Sequence, residues 1–508
     1  MSRYGGPTLA PGKSADVTLV LEGTYPFVSG GVSSWVHQII SGLPDITFSL
    51  VFIGASPETY AKMKYTLPPN VLHLEEHFLS DVPKGDRVVT RRGDEAFYDA
   101  SARMHDALRS GKGIDAELRQ TVKRLLADPK RHRDDFLFSE RAWEDICDKY
   151  EQNASGQSFL EYFWTVRSMH APLFMLSTVA AGVPRSKCVH VISTGFAGFL
   201  ATLLRQAWQR PLILTEHGIY TKERRIELLQ ASWIKDDDEV TSTTENASIG
   251  VFRQTWIRFF ESLGKMTYDA ADPIISLYEG NRARQIKDGA SSERTRVVPN
   301  GIDLERMEKL REKRGPAIPK TVGLIGRVVP IKDIKTFLRA MRAVCTMLPE
   351  ATGFIAGPDD EDASYAAECR ELAESLGLKD KVQFLGFQKV EDLFPGMGVN
   401  VLTSISEAQP LVVLEGLAAG VPAVASDVGC CRELIEGVDA SDRALGSAGA
   451  IVDIADPDAT AREIVALLGD TDRWFAAHRT GVMRVELHYT QAQMLRRYSD
   501  IYRKAING

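Results

Sequence analysis

Short apolar runs alternate with segments of helical period along this chain, and that alternation fixes the class of fold open to it. The first run, Val17-Thr18-Leu19-Val20-Leu21, is apolar nearly throughout, as a parallel strand buried on both faces requires. A polar loop follows. Gly30-Gly31 then opens a segment whose Val32, Trp35, Val36, Ile39 and Ile40 recur with the period of a helix. Phe48 to Ile53 is the next apolar run. Strand, glycine loop, helix, strand is the opening of a doubly wound sheet. The pattern begins again at Val322-Gly323-Leu324-Ile325, and 508 residues suffice for two such domains.

The expected boundaries follow from composition. Residues 1–15 read as a flexible leader and 16–312 as a first Rossmann-like domain. Charge-rich helical sequence from about 81 to 156 reads as an insertion in that domain. Lys313 to Pro319, KRGPAIP, is the linker to a second Rossmann-like domain, 313–485, and a helix closes the chain over 486–508. Further buried strands are expected at Val189–Ser193, Pro211–Thr215, Asp272–Leu277, Gly353–Gly357, Val382–Gly386, Val399–Leu402 and Ala423–Ala425.

Charge and cysteine usage narrow the function. A formal net charge of -7 argues against a nucleic-acid footprint and gives no attraction to anionic lipid. The six cysteines form no C-x-x-C pair, which fits reduced thiols and a cytoplasmic protein. The amino-terminal residues have no apolar core of a signal peptide. No apolar run reaches the roughly 18 residues that a membrane span needs.

Chemistry concentrates in Ser404 to Gly429, SISEAQPLVVLEGLAAGVPAVASDVG. A loop carries Ser404, Ser406 and Glu407. Pro410 suits the first turn of a helix, and Glu415 falls in that helix. Both acids are expected near the carboxyl end of a strand, where open α/β sheets bind ligands. In the loop after the strand at Val322–Ile325, Gly326 precedes Arg327 and Lys332, five residues apart. Gly30-Gly31 at a helix amino terminus offers free amides and a positive dipole end to an anion. A full G-x-G-x-x-G is missing, so the pair does not point to a nicotinamide cofactor. His217 stands at a strand end within Glu216-His217-Gly218.

With its flanks, the Glu407–Glu415 stretch resembles the E-x7-E signature of retaining, GT-B-fold glycosyltransferases of family four. The resemblance implies two Rossmann-like domains facing a central cleft, with the last helix crossing back to the first domain. It implies that Arg327 and Lys332 hold the donor diphosphate. A guanidinium binds two phosphate oxygens and an ammonium adds a compact charge. It assigns Glu415 to the ribose hydroxyls, Glu407 to the transferred sugar and Gly386-Phe387-Gln388 to the base. Backbone amides near Gln409, Leu411 and Val412 face the donor in this reading. Gln409 and Pro410 stand where many relatives carry a glycine or a bulky apolar residue, which leaves the sugar open. His217 matches a histidine beside the donor sugar, with Glu216 as the alternative acid, and Asn300-Gly301 matches a structural element.

A narrower resemblance, to the soluble glycosyltransferases of Pel exopolysaccharide synthesis, rests on LEGTYPFVSGGVSSWVHQII, LTEHGIYTKERR and PNGIDLERM. It implies a UDP-sugar donor, a saccharide acceptor and inner-membrane Pel proteins as partners. Asp236-Asp237-Asp238, Asp359-Asp360 and Asp456-Pro457-Asp458 mimic a metal-binding D-x-D, but polar loops favour solvated acids, and no metal or other cofactor is expected. Two rivals stay open: a nucleotide-sugar-binding scaffold without turnover, and a sugar-nucleotide 2-epimerase of similar fold.

Overall fold

The computed structural model describes residues 4–60, 62–80, 91–110, 115–234 and 250–508. Seven of its strands are β1 (Ala15–Glu22), β2 (Phe48–Gly54), β3 (Val71–Phe78), β4 (Ser186–Val191), β5 (Leu212–Glu216), β6 (Ile274–Ser276) and β7 (Thr295–Val297). They pair in parallel in the order β3-β2-β1-β4-β5-β6-β7. The remaining strands are β8 (Thr321–Ile325), β9 (Thr352–Ala356), β10 (Val382–Gly386), β11 (Val399–Leu402), β12 (Ala423–Ser426) and β13 (Gly449–Val452). They form a second parallel sheet in the order β10-β9-β8-β11-β12-β13. Both sheets reverse direction beside their first strand, at β1/β4 and at β8/β11. Such a reversal opens a crevice at the carboxyl ends of the two strands.

The chain divides into two compact units. One holds the residues up to Ser276, Arg282–Val297 and Tyr498–Gly508, and the other holds Leu277–Asn281 and Val298–Arg497. The division therefore falls at 297/298 and not at the expected 312/313. The helix Leu304–Glu312 buries Met307 and Leu310 in the core of the second unit, which draws that segment across. Only the last eleven residues belong to the first unit, where the sequence suggested a tail from 486. In the helix Gln491–Asn507, Tyr498 and Tyr502 are fully buried. The Tyr502 hydroxyl lies 2.7 Å from His190 Nδ1, and the Tyr498 hydroxyl 3.1 Å from Thr215 Oγ1.

Three further expectations change. The leader is packed from Tyr4 onward: its ring lies 4.8 Å from that of Phe27, and the Leu74 amide donates to the Pro7 carbonyl at 2.9 Å. The helical layer between β3 and β4 runs to Gly182, beyond the insertion expected to end at 156, while 81–90 lie outside the described residues. Strands β3, β7 and β13 were not anticipated, β7 because it has only three residues. VLHLEEHF carries four polar or charged residues, and GAIV is too short to stand out.

Tyr502 offers a direct check on the returning helix. Tyr502→Ala is expected to cost about 3–5 kcal/mol, and Tyr502→Phe about 1–2 kcal/mol through the unpaired His190 nitrogen. Urea unfolding midpoints measure both; equal, small effects would mean the tail contributes little to the first unit.

Candidate active site

In the second unit, the loops after β8 and β11 emerge at the strand-order reversal and are tied to each other. Thr403 Oγ1 donates to the carbonyls of Lys332 and Asp333 at 2.9 and 3.0 Å, and the Ile405 amide donates to the Ile331 carbonyl at 2.9 Å. Asp333 sits in the left-handed region at φ 44°, and its carboxylate accepts from the Thr336 amide, capping the helix Ile334–Met347. This turn sets the direction of Lys332. Its ammonium donates to Glu407 Oε1 at 2.5 Å, and the Ser404 hydroxyl donates to the same oxygen at 2.7 Å. Both side chains are largely buried.

The stretch 404–429 closes on itself. The Ser426 hydroxyl donates to the Ser404 carbonyl at 2.6 Å, and the Cys430 amide to the Ala408 carbonyl at 2.9 Å. Gly429, at φ 55°, has the Ala408 and Glu407 carbonyl oxygens only 2.3 and 2.5 Å from where a Cβ would stand. A side chain there would strike the backbone that carries Glu407.

Arg327 is expected beside Lys332, but its guanidinium instead bonds the exposed Glu361 through Nη1 at 2.7 and 2.6 Å. Gly326, expected at the diphosphate, lies at ordinary contact distance from the Lys332 stem: a Cβ there would stand 3.6 Å from Cε. Glu415, on the helix Leu411–Ala418, lies 3.6 Å from Arg306, which also bonds Glu391 at 2.7 Å. Burial raises the Glu415 carboxyl, and Arg306 opposes the shift. Gln409, expected to turn its backbone amide to the donor, has a further role through its buried side chain, which accepts from the Asn300 amide at 2.7 Å and so anchors Asn300-Gly301. Leu411 and Val412 open their helix, where the first amides lack intrahelical partners. Phe387 is 76% exposed beside Gly386, and Gln388 turns back to the Leu385 carbonyl. Glu361, Glu391 and Arg306 escaped the assignment of roles from sequence, because no spacing marks a partner far away in the chain, while Ser404 was named in its loop without a role.

In the first unit, Gly30 precedes the helix Gly31–Gly42, and a Cβ on it would meet only open space. The same helix presents Trp35, whose ring lies 4.7 Å from that of His217, edge to face. His217 follows β5 and lines a cavity of about 400 Å³ with Glu22, Ser193, Tyr220 and Arg224. Burial lowers its pKa to about 4, so the imidazole is neutral at physiological pH. Glu216 lies beneath it, fully buried, accepting from Tyr268 Oη at 2.7 Å and Gln285 Nε2 at 2.9 Å. Burial pushes this carboxyl up to about 7. The sequence did not mark Glu22. At the end of β1, it accepts from the Ala197 amide at 2.9 Å, and burial raises its pKa.

Of the acidic pairs, Asp236-Asp237-Asp238 lies outside the described residues. Asp359 pairs with Arg370, and Asp456 caps the helix Pro457–Gly469 through the Ala459 amide. Among the described residues no three His, Cys, Asp or Glu side chains converge as metal ligands, and no helix is long and apolar enough to cross a membrane.

Residues 15–293, more than half of the chain, match the family described as Domain of unknown function (DUF3492), and residues 319–470 match Glycosyl transferases group 1. The chain belongs to the DUF3492 family and is a glycosyltransferase of GT-B type, with the group 1 match confined to residues 319–470. A D-inositol 3-phosphate glycosyltransferase of Thermobispora bispora is 25% identical over 62% of this chain and 70% of its own length. The lipopolysaccharide core mannosyltransferase LpsB of Rhizobium meliloti is 27% identical over 41% of this chain, which spans 60% of that relative. The structure of Anabaena HepE with UDP superposes with a TM-score of 0.57 at 15% identity, over 96% of this chain and all of HepE. Sucrose-phosphate synthase of Thermosynechococcus elongatus does so with 0.57 at 16%, over 96% and 98%. These structural likenesses establish the fold.

Two outcomes test the local geometry. Gly429→Ala is expected to cost about 2 kcal/mol through strain and the carbonyl clash, while Gly30→Ala stays within about 0.5 kcal/mol; equal effects in urea unfolding would refute the clasp. The second concerns pH. His190, lowered to about 3, and His217 stay neutral in the folded glycosyltransferase, whereas the unfolded chain binds protons below about 6.5. Their stabilisation is present above 6.5 and lost as pH falls. Glu216 acts oppositely: its contribution is present below about 4.5 and lost as pH rises to about 7. Among these three groups, two imidazoles against one carboxyl contribute a slope of about +1.4 kcal/mol per pH unit between 5 and 6.5, and raised carboxyls such as Glu22 act in the opposite direction. Glu216→Gln should steepen the measured slope by about 1.4 kcal/mol per unit; an unchanged slope would show that Glu216 is already ionised there.

Proposed function

We propose that the protein transfers a sugar from a UDP-linked donor to a saccharide hydroxyl with retention of anomeric configuration. The observation that carries this reading is the Lys332–Glu407 contact at the strand-order reversal of the second sheet, an ammonium and a carboxylate fixed by Ser404 where open sheets bind ligands. In the proposed reaction the bond between the sugar C1 and the β-phosphate oxygen breaks. The acceptor oxygen bonds C1 from the same face, and its proton passes to the departing phosphate oxygen, releasing UDP. Lys332 and Arg327 neutralise the charge that gathers on the β-phosphate, so the reading assigns that task to side chains and not to a divalent cation.

The other assignments follow the same logic. Glu407 meets hydroxyls of the transferred sugar, and Glu415 accepts from the ribose. Phe387 offers an aromatic face for the base between Gly386 and Gln388. The amides of Leu411 and Val412 at a helix start, and those of Gly30 and Gly31 in the first unit, favour anionic oxygens. His217, being neutral, hydrogen-bonds the sugar without adding charge. The HepE structure containing UDP and glucose supports the choice of uridine. Membership of family four rests on Glu407 and Glu415. Extension of a Pel-type exopolysaccharide beside inner-membrane partners rests on the amino-terminal blocks quoted above.

Calorimetric titration with UDP, GDP and ADP is the test. UDP is expected to bind best, with Arg327→Ala and Lys332→Ala each weakening it about tenfold or more, and with Lys332→Ala lowering turnover of a UDP-sugar by about 10²–10³-fold. NMR of the glycoside formed should show the donor's anomeric configuration. UDP binding that ignores both cations would overturn the donor site. Release of UDP without a glycoside would favour the epimerase, and binding without turnover the scaffold.

A further inference from the structure

A second recess in the first unit, of about 650 Å³, shares no lining residue with the His217 cavity. Three segments build it. The helix Val251–Ala270 contributes Arg258, Glu261, Lys265 and Tyr268, spaced so that they fall on one face. The helix Tyr220–Gln230 contributes Arg225, and Arg284 and Asp288 close the third side. Four cations thus meet two acids in one concavity of a chain whose net charge is -7.

The pairing inside the recess is incomplete. Arg225 lies 3.6 Å from Glu261, and Arg284 Nε bonds both oxygens of Asp288 at 2.9 Å. Asp288 also accepts from Thr221 Oγ1 at 3.1 Å, which fixes its carboxylate. Arg258 and Lys265 have no ion-pair partner among the described residues. Two turns apart on one helix, their backbones are separated by about 10 Å. The floor is firm, because Tyr268 is fully buried and its hydroxyl is committed to Glu216. Like charges converging in a concave wall raise the local potential and concentrate anions. The volume falls within the range of small-molecule sites, about 300–1,000 Å³.

We propose that this recess binds a phosphorylated small molecule, with Arg258 and Lys265 as its phosphate ligands and Arg225 as a third cation tempered by Glu261. An ammonium and a guanidinium with no internal partner form charge-assisted bonds to phosphate oxygens without first breaking an ion pair. The site is independent of the donor site proposed on the second unit.

The test uses inorganic pyrophosphate, titrated calorimetrically into the full-length protein carrying Arg327→Ala and Lys332→Ala, so that donor-site binding does not contribute. Saturable binding is expected. Adding Arg258→Gln and Lys265→Gln should weaken it at least tenfold, while adding Glu261→Gln, which removes the competing acid, should tighten it several-fold. An unchanged circular dichroism spectrum keeps loss of binding distinct from loss of fold. No binding in the parent, or affinity indifferent to Arg258, Lys265 and Glu261, would overturn the proposal.

Discussion

The contact between Lys332 and Glu407 is the constraint around which the second unit is arranged. A buried ammonium or carboxylate is costly alone, and each is tolerated here because the other lies against it and Ser404 supplies a further hydrogen bond. The pair forms only if the loops after β8 and β11 leave their strands side by side, as the strand order requires. Thr403 and Ile405 then stitch the two loops together, and Ser426 and Gly429 press on the far side of the Glu407 loop. The sheet topology thus brings opposite charges together, and local hydrogen bonds hold them.

The first unit solves a different electrostatic problem. Its reversal point gathers Glu22, Glu216, His190 and His217, and each is pushed toward its neutral form by burial. His190 is held between Tyr502 and Thr215, so the tail of the chain helps to fix a group adjacent to the strand ends. Neutral groups in a low-dielectric setting give directed hydrogen bonds without net charge. That suits contact with hydroxyl-rich molecules better than with phosphates.

How much of this was legible in the sequence depended on whether the signal was local. Buried parallel strands announce themselves as apolar runs, and β1, β2, β8 and β11 lie where such runs predict them. Motif spacing singled out Lys332, Glu407 and Glu415, of which the fold brings Lys332 and Glu407 into contact and sets Glu415 against Arg306. The edge strand β3 was missed because its polar residues break the apolar run, and the domain boundary was misplaced because a charged helix with two apolar contacts looks like surface. Partners were the least legible. Nothing near Arg327 points to Glu361, 34 residues away, nor anything near Gln409 to Asn300.

Those unpredicted partners also differ in how firmly they hold. The Arg327–Glu361 pair is about half exposed on both sides, and such pairs contribute only about 0–1 kcal/mol. A diphosphate carrying two or more charges therefore competes for the Arg327 guanidinium at little energetic cost. The Lys332–Glu407 pair is better shielded and carries an additional hydrogen bond, so separating its members is dearer. In the proposed donor site, a guanidinium held only by an exposed carboxylate can leave it for a phosphate, beside an ammonium that stays where Glu407 holds it. That proposal thus has one cation positioned by the fold and the other exchanging Glu361 for the ligand.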